Sequence, residues 1–154
     1  MAGKKKFTKK SHTNSKEKKL GEVLLGIDYG ERNIGLALGH NGLTMPLHVV
    51  NGADGLSALN DINILVKENK VNRLIMGLPL NAEGKETIMA KKIRIFAKLL
   101  KVELKLPVDF VSEYASSIES MKSALNQDVS QKRRQLIDHL SAAIILKNYY
   151  ESLN

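Results

Sequence analysis

Three carboxylates stand where an apolar pattern has least use for a charge. Asp28 closes the run "LLGID", and Glu113 closes "VDFVSE". Asp138 shares a helical face with Ala142, Ile145 and Tyr149, at offsets of four, seven and eleven. In sheets with parallel crossovers, sites form at the carboxyl ends of the strands. Asp28 and Glu113 read as strand ends of that kind, and a helix laid on the sheet turns Asp138 inward. A structural ion pair accounts for any one of these acids, but less well for all three. Anions that converge without fixed cations raise one another's pKa, which invites a divalent metal. All-oxygen ligation suits Mg2+ or Mn2+. Such a site can activate water and stabilise the charge on a scissile phosphate during in-line displacement.

Other ionisable residues fit this chemistry less well. Asp109 lies at the start of the strand that Glu113 ends; four residues at roughly 3.3 Å each place it about 13 Å away, at the opposite edge. It reads as an ordinary acid at the start of a strand. His12, His40, His48 and His139 show no metal-ligand spacing. His139 follows Asp138 directly, so it points elsewhere on the helix and is expected at the surface.

The elements that position the acids follow from periodicity. Val23 to Asp28 and Ile34 to Leu38 read as two strands, joined by "YGERN", in which Gly30 and Asn33 tolerate a hairpin turn. A third strand is expected at about Met45 to Val50. Leu56, Leu59, Ile62, Leu65 and Val66 recur at helical spacing. "NRLIMGL" is a short buried strand, and Met89, Ile93, Phe96 and Leu100 form one face of a second helix. "VDFV" after Pro107 is another strand. Ser116 and Glu119 have capping-box spacing before a short helix with Ile118, Met121 and Leu125. Asp128 and Gln131 repeat it before a last helix reaching about Tyr150. Three strands, helix, strand, helix, strand and two helices make an α/β domain: a hairpin unit extended by right-handed crossovers.

Charge separates the chain into two parts. Residues 1–20 hold eight lysines and one acid, Glu17, for a net charge of +7, out of +8 for the 154-residue whole. With little but Phe7 and Leu20 to bury, residues 1–20 read as a disordered basic arm, and residues 21–154 as one folded domain. The arm serves either as a solubilising tail or as an electrostatic hold on phosphate backbones. No apolar run approaches the roughly 18–20 residues of a membrane helix, and no apolar segment follows the lysines as in an export signal. The absence of cysteine excludes disulfides and thiolate zinc sites. The cytoplasm is the expected compartment, with no membrane partner.

Several residues are placed to meet a polyanion. Asn81, Gly84 and Lys85 occupy a loop at a strand's carboxyl end, where a nucleic-acid backbone could be held. Lys132, Arg133 and Arg134 lie ahead of Asp138, as a phosphate track or as a solvated first helical turn. Gly26 and Gly35, on paired strands, allow close approach of a backbone or a substrate. Tyr114, beside Glu113, either stacks on a base or packs on the last helix.

"GIDYGERNIGLALG", "IMGLPLNAEGKE" and "IDHLSAAIILKNYY" resemble the YqgF family of ribonuclease H-like proteins. Its members are described as pre-16S rRNA nucleases or Holliday-junction-resolvase-like proteins. The likeness spans about residues 22 to 150, in order. It implies a ribonuclease H-like fold, a mixed five-stranded sheet flanked by helices. It also implies processing of the 5′ end of precursor 16S rRNA in the cytoplasm, with RNA, on the ribosomal subunit or free, as partner. The family's first-strand aspartate falls on Asp28, its helical aspartate on Asp138, and its "GLPL-N" loop on Gly77 to Asn81. "VSEYASS" departs from the family's Asp-Glu-Arg followed by a hydrophobic residue and two threonines. Glu113 keeps the acid, Ser112 and Tyr114 replace its neighbours, and Ser116 and Ser117 stand for the threonines. The missing arginine removes a partner for a phosphate or an acid.

The same acids would serve Holliday-junction resolution on structured DNA. An actin-like or sugar-kinase ATPase also places an acid in its first hairpin, but this chain is too short for two lobes closing on ATP. A non-catalytic RNA-binding protein with a decayed site is the reading that "SEYA" favours. The expectation taken forward is a metal-dependent nuclease using Asp28, Glu113 and Asp138, with Asn81, Lys85, Lys132, Arg133 and Arg134 on the nucleic acid.

Overall fold

The computed structural model describes residues 15–114 and 130–154. Residues 1–14 and the helix expected around Ile118, Met121 and Leu125 lie outside the described residues. The order is α1 (Ser15–Gly21), β1 (Leu24–Asp28), β2 (Asn33–His40), β3 (Leu43–Asn51) and α2 (Gly55–Glu68). It continues with β4 (Arg73–Leu80), α3 (Ile88–Leu104), β5 (Val108–Tyr114) and α4 (Gln131–Ser152). One five-stranded sheet runs β3-β2-β1-β4-β5. β1, β2 and β3 pair antiparallel, whereas β4 runs parallel to both β1 and β5. This is the mixed sheet expected from the order of elements.

Strand alternation sorts the core into two layers. Leu25, Ile27, Ile34, Leu36, Leu74 and Met76 face α2 and α3. Leu24, Ala37 and Ile75 face α4. In α2 the buried residues are Ala58, Ile62, Leu65 and Val66. Leu56, expected on that face, lies in the first turn and is exposed. Asp54 caps α2 by accepting from the Leu56 amide at 3.1 Å, and Thr87 caps α3 by accepting from Ala90 at 3.1 Å.

Glycines set how closely α4 lies on the sheet. A Cβ at Gly26 would stand 2.6 Å from Leu146 Cγ and 2.8 Å from the Ala142 carbonyl oxygen, and one at Gly35 would overlap the Asp138 carbonyl. At Gly39 it would meet the Tyr150 hydroxyl at 2.8 Å. Since Asp28 pairs with Gly35, Gly26 with Ala37 and Leu24 with Gly39, α4 runs antiparallel to β1. Its first turns lie at the carboxyl end of β1.

Two local expectations are corrected. Residues 15–20, assigned by charge to the disordered arm, form most of α1, whose Leu20 packs under α4 and accepts from the Asn41 amide at 3.0 Å. Burial of one leucine and a backbone bond outweigh the lysine density. The hairpin expected through "YGERN" joins β1 to β2, and a second, left-handed turn at Asn41 (φ 51°) and Gly42 (φ 81°) joins β2 to β3. Asn-Gly is the preferred pair for a two-residue hairpin because both positions need positive φ. α4 begins at Gln131 with Ser130 as its N-cap residue, later than the Asp128–Gln131 spacing implies.

Candidate active site

Asp28 is the last residue of β1 and is half-buried. By alternation its side chain lies on the α4 face, the face toward which a Cβ on its cross-strand partner Gly35 would point. The Asp138 backbone sits directly over Gly35. Asp28 and Asp138, far apart in sequence, therefore share one end and one face of the sheet.

Glu113 reaches the same place from the far strand. It lies in β5 opposite Pro79, and its Oε1 is buried. Its Cδ is 3.0 Å, and Oε1 3.1 Å, from the point that a Cβ on Gly77 would occupy. Gly77 is one step beyond the β1–β4 pair Ile27–Met76, level with Asp28. The Glu113 carboxyl thus leans across β4 toward β1, over a residue with no side chain. Sequence reading placed Gly77 at the end of "NRLIMGL" and the start of the "GLPL-N" loop and missed this cradle; the signal was a glycine within an otherwise bulky buried strand.

The three acids share a face and an end. Among the described residues, no three side chains of metal-binding type stand close enough together to hold one ion. Ser112 is exposed, and the side chain of Tyr114 lies outside the described residues.

The residues expected at nucleic acid divide in role. The Asn81 side-chain oxygen accepts from the Glu83 amide at 3.1 Å and the Lys85 amide at 2.8 Å. With Gly84 at φ 75°, it shapes the loop that presents Lys85, which is exposed. Lys132 and Arg133 are exposed in the first turn of α4, about 9 and about 7.5 Å along the axis from Asp138 at 1.5 Å per residue. Arg134 is in that turn, and its side chain lies outside the described residues.

Charge reading also missed the loop after Asp28. Tyr29 packs at a tilt against Phe96 of α3 with ring centroids 5.0 Å apart, and Glu31 pairs with Lys92. The hydrogen bond from Lys92, followed by its charge, lowers the Glu31 pKa. The Gly52 amide donates to the Arg32 carbonyl at 2.8 Å. The turn that follows Asp28 is thereby anchored to α3 and to the residue after β3, with the Arg32 side chain exposed.

Asp109 belongs at the opposite edge, as expected. Arg73 binds Glu22 at 2.7 Å and Asp109 at 3.4 Å, and the Tyr149 hydroxyl donates to Asp109 at 2.9 Å. The bond to Glu22 is the main cause that raises the Arg73 pKa. His139 differs from expectation: it is half-buried, with Nδ1 enclosed. The close approach of α4 to the glycines of β1 and β2 draws even the flank of that helix inward.

A family profile described as "RuvX: Holliday junction resolvase" matches residues 22–152. A relative from Syntrophomonas wolfei is 37% identical over 131 residues, covering 83% of this chain and 93% of its own. One from Clostridioides difficile is 33% identical over 131 residues, with the same coverage. Both carry the name of a candidate pre-16S rRNA nuclease. Among solved structures, T. thermophilus RuvC in complex with Holliday junction substrate aligns with a TM-score of 0.52 at 14% identity. That alignment covers 85% of this chain and 96% of RuvC, a likeness of fold that bears out the ribonuclease H-like architecture. The span of the profile, and relatives at a third identity over most of their length, place this chain in the RuvX (YqgF) family.

Proposed function

We propose that this protein is a cytoplasmic nuclease that processes the 5′ end of precursor 16S rRNA, using Mg2+ or Mn2+ held by Asp28, Glu113 and Asp138. The carrying observation is the placement of three acids on one face at one end of the sheet, with the Glu113 carboxyl over Gly77 and the Asp138 backbone over Gly35. An all-carboxylate donor set suits a hard divalent cation. When bound, the ion supplies a Lewis acid for negative charge developing on the phosphoryl oxygens.

The chain's own residues supply position. The anchored turn at Tyr29 and Glu31 holds the end of β1, and the Gly77 cradle aims Glu113 across β4. Lys85, Lys132, Arg133 and Arg134 hold phosphates beside the acids, and the Asn81 loop fixes where Lys85 emerges. Relatives at 33–37% identity are named for pre-16S rRNA, whereas the likeness to the DNA resolvase is 14% in sequence. RNA is accordingly the substrate of this reading.

The test incubates the full chain with precursor 16S rRNA and with a four-way DNA junction, each with Mg2+, Mn2+ or EDTA. Cleavage at the rRNA 5′ end that needs the ion and stops in EDTA is expected. Junction cleavage with the RNA left intact would move the protein to resolution. Ion binding with neither substrate cut would make it a binding protein.

A further inference from the structure

Helix α3 is apolar on two opposite faces. Ala90, Ile93, Phe96, Ala97 and Leu100 are buried against the sheet. On the other side Ile88, Ile95, Leu99 and Val102 are exposed by 78%, 72%, 37% and 65%. A surface helix ordinarily carries one apolar stripe and a polar back, and large apolar side chains grouped in water mark a contact surface. Ile88, Ile95 and Val102 recur every seven residues, the repeat that keeps side chains on a seam facing a second helix. At 100° per residue Leu99 joins the same stripe, which runs about 21 Å along the axis. Lys91 and Lys98, also seven apart and exposed, form a column along one side.

We propose that the outer face of α3 docks an acidic amphipathic helix of another protein. The heptad spacing asks for a helix, and the lysine column asks for carboxylates along its flank. A second copy of α3 answers the first need only: within Ile88–Leu104 it offers five basic residues against the single acid Glu103. A membrane surface calls for a broad apolar face, and here the inner half of the helix is committed to the core. The stripe lies on the α2–α3 side of the sheet, while Asp28, Glu113 and Asp138 lie on the α4 side. A docked helix therefore leaves the acids open, so this surface can place the protein on its target without competing with substrate.

The test titrates the full chain with two synthetic peptides of about three heptads, alike in apolar residues but flanked by glutamates in one and lysines in the other. The acidic peptide should bind and the basic one should not. Ile95→Glu should weaken binding at least tenfold, with melting temperature and nuclease turnover unchanged. The pair Lys91→Glu and Lys98→Glu should reverse the preference, so that the basic peptide binds. Equal binding of both peptides, or of neither, would overturn the proposal. So would dimerisation of the chain alone, or adsorption to anionic vesicles, that Ile95→Glu abolishes. No readout but turnover involves the acids, so failure here is separate from failure of the nuclease reading.

Discussion

The carboxyl carbon of Glu113 stands 3.0 Å from the point where a Cβ on Gly77 would be. A residue on β4 thus determines where an acid on β5 can reach, and the direction is toward Asp28. The absence of a side chain at Gly77 is a positioning device rather than a conformational one, because its φ lies outside the left-handed region.

Gly77→Ala should fold but cut poorly. Its methyl would meet Ile145 Cδ1 at 2.8 Å and the Glu113 carboxyl, both ends of side chains able to give way. Overpacking of this kind costs about 1–3 kcal/mol, and a shift near 1 Å in a catalytic group can cost on the order of a hundredfold in rate. Urea unfolding and single-turnover cleavage measure the two separately. Wild-type turnover in the folded variant would show that the cradle does not aim Glu113.

Asp28→Asn should abolish cleavage in a protein that stays folded, because an amide is a far weaker ligand for a hard cation than a carboxylate. Glu113→Gln and Asp138→Asn should each remove activity. Their combination should lose little more, since residues of one metal site act as a unit. Calorimetry with Mn2+ reports the same coupling independently of turnover: each variant should lose the binding isotherm. Losses in rate that multiply cleanly would separate Glu113 from Asp138.

Stability should fall above about pH 10, and part of that fall should vanish in Tyr149→Phe. Burial first, and donation to Asp109 second, hold the Tyr149 hydroxyl well above its ordinary 10.0. Above that value the unfolded chain gives up the proton while the folded chain keeps it. The unfolded state then binds fewer protons, and stability declines as pH rises. Tyr150, also raised by burial, leaves a residual decline. Urea unfolding at pH 7 and at ~pH 11 should show a smaller difference for Tyr149→Phe than for wild type. At pH 7 the variant should lose about 0.5–1.5 kcal/mol for the missing hydrogen bond. An unchanged alkaline slope would exclude Tyr149 as its source.

Deleting residues 1–14, and keeping α1, should weaken RNA binding without unfolding the domain. That segment carries five lysines and no acid, whereas Leu20 of α1 belongs to the α4 layer of the core. Each phosphate neutralised on a single strand adds about −0.7 to the slope of log affinity against log salt. If roughly three lysines engage, the slope should become shallower by about 2, and by the same amount for unrelated RNA sequences. An unchanged slope would make the segment a passive tail.

The sequence alone determined the elements and the placement of acids along them. Alternation over Leu24–Asp28 and helical spacing through Ile145 and Tyr149 are local periods, and they state which residues seek burial. Chain direction then put Asp28 and Glu113 at strand ends and Asp109 at the other edge. Neighbours distant in the chain were decided only by the tertiary structure. Gly35 lies under Asp138, Gly77 lies under Glu113, and Tyr29 lies against Phe96 because a sheet brings together residues that no local pattern pairs. The helical lysines of α1 and the exposed Ile88, Ile95 and Val102 of α3 carry the same lesson. Composition and periodicity report a residue's preference for water, but what covers it depends on the surfaces that folding sets beside it.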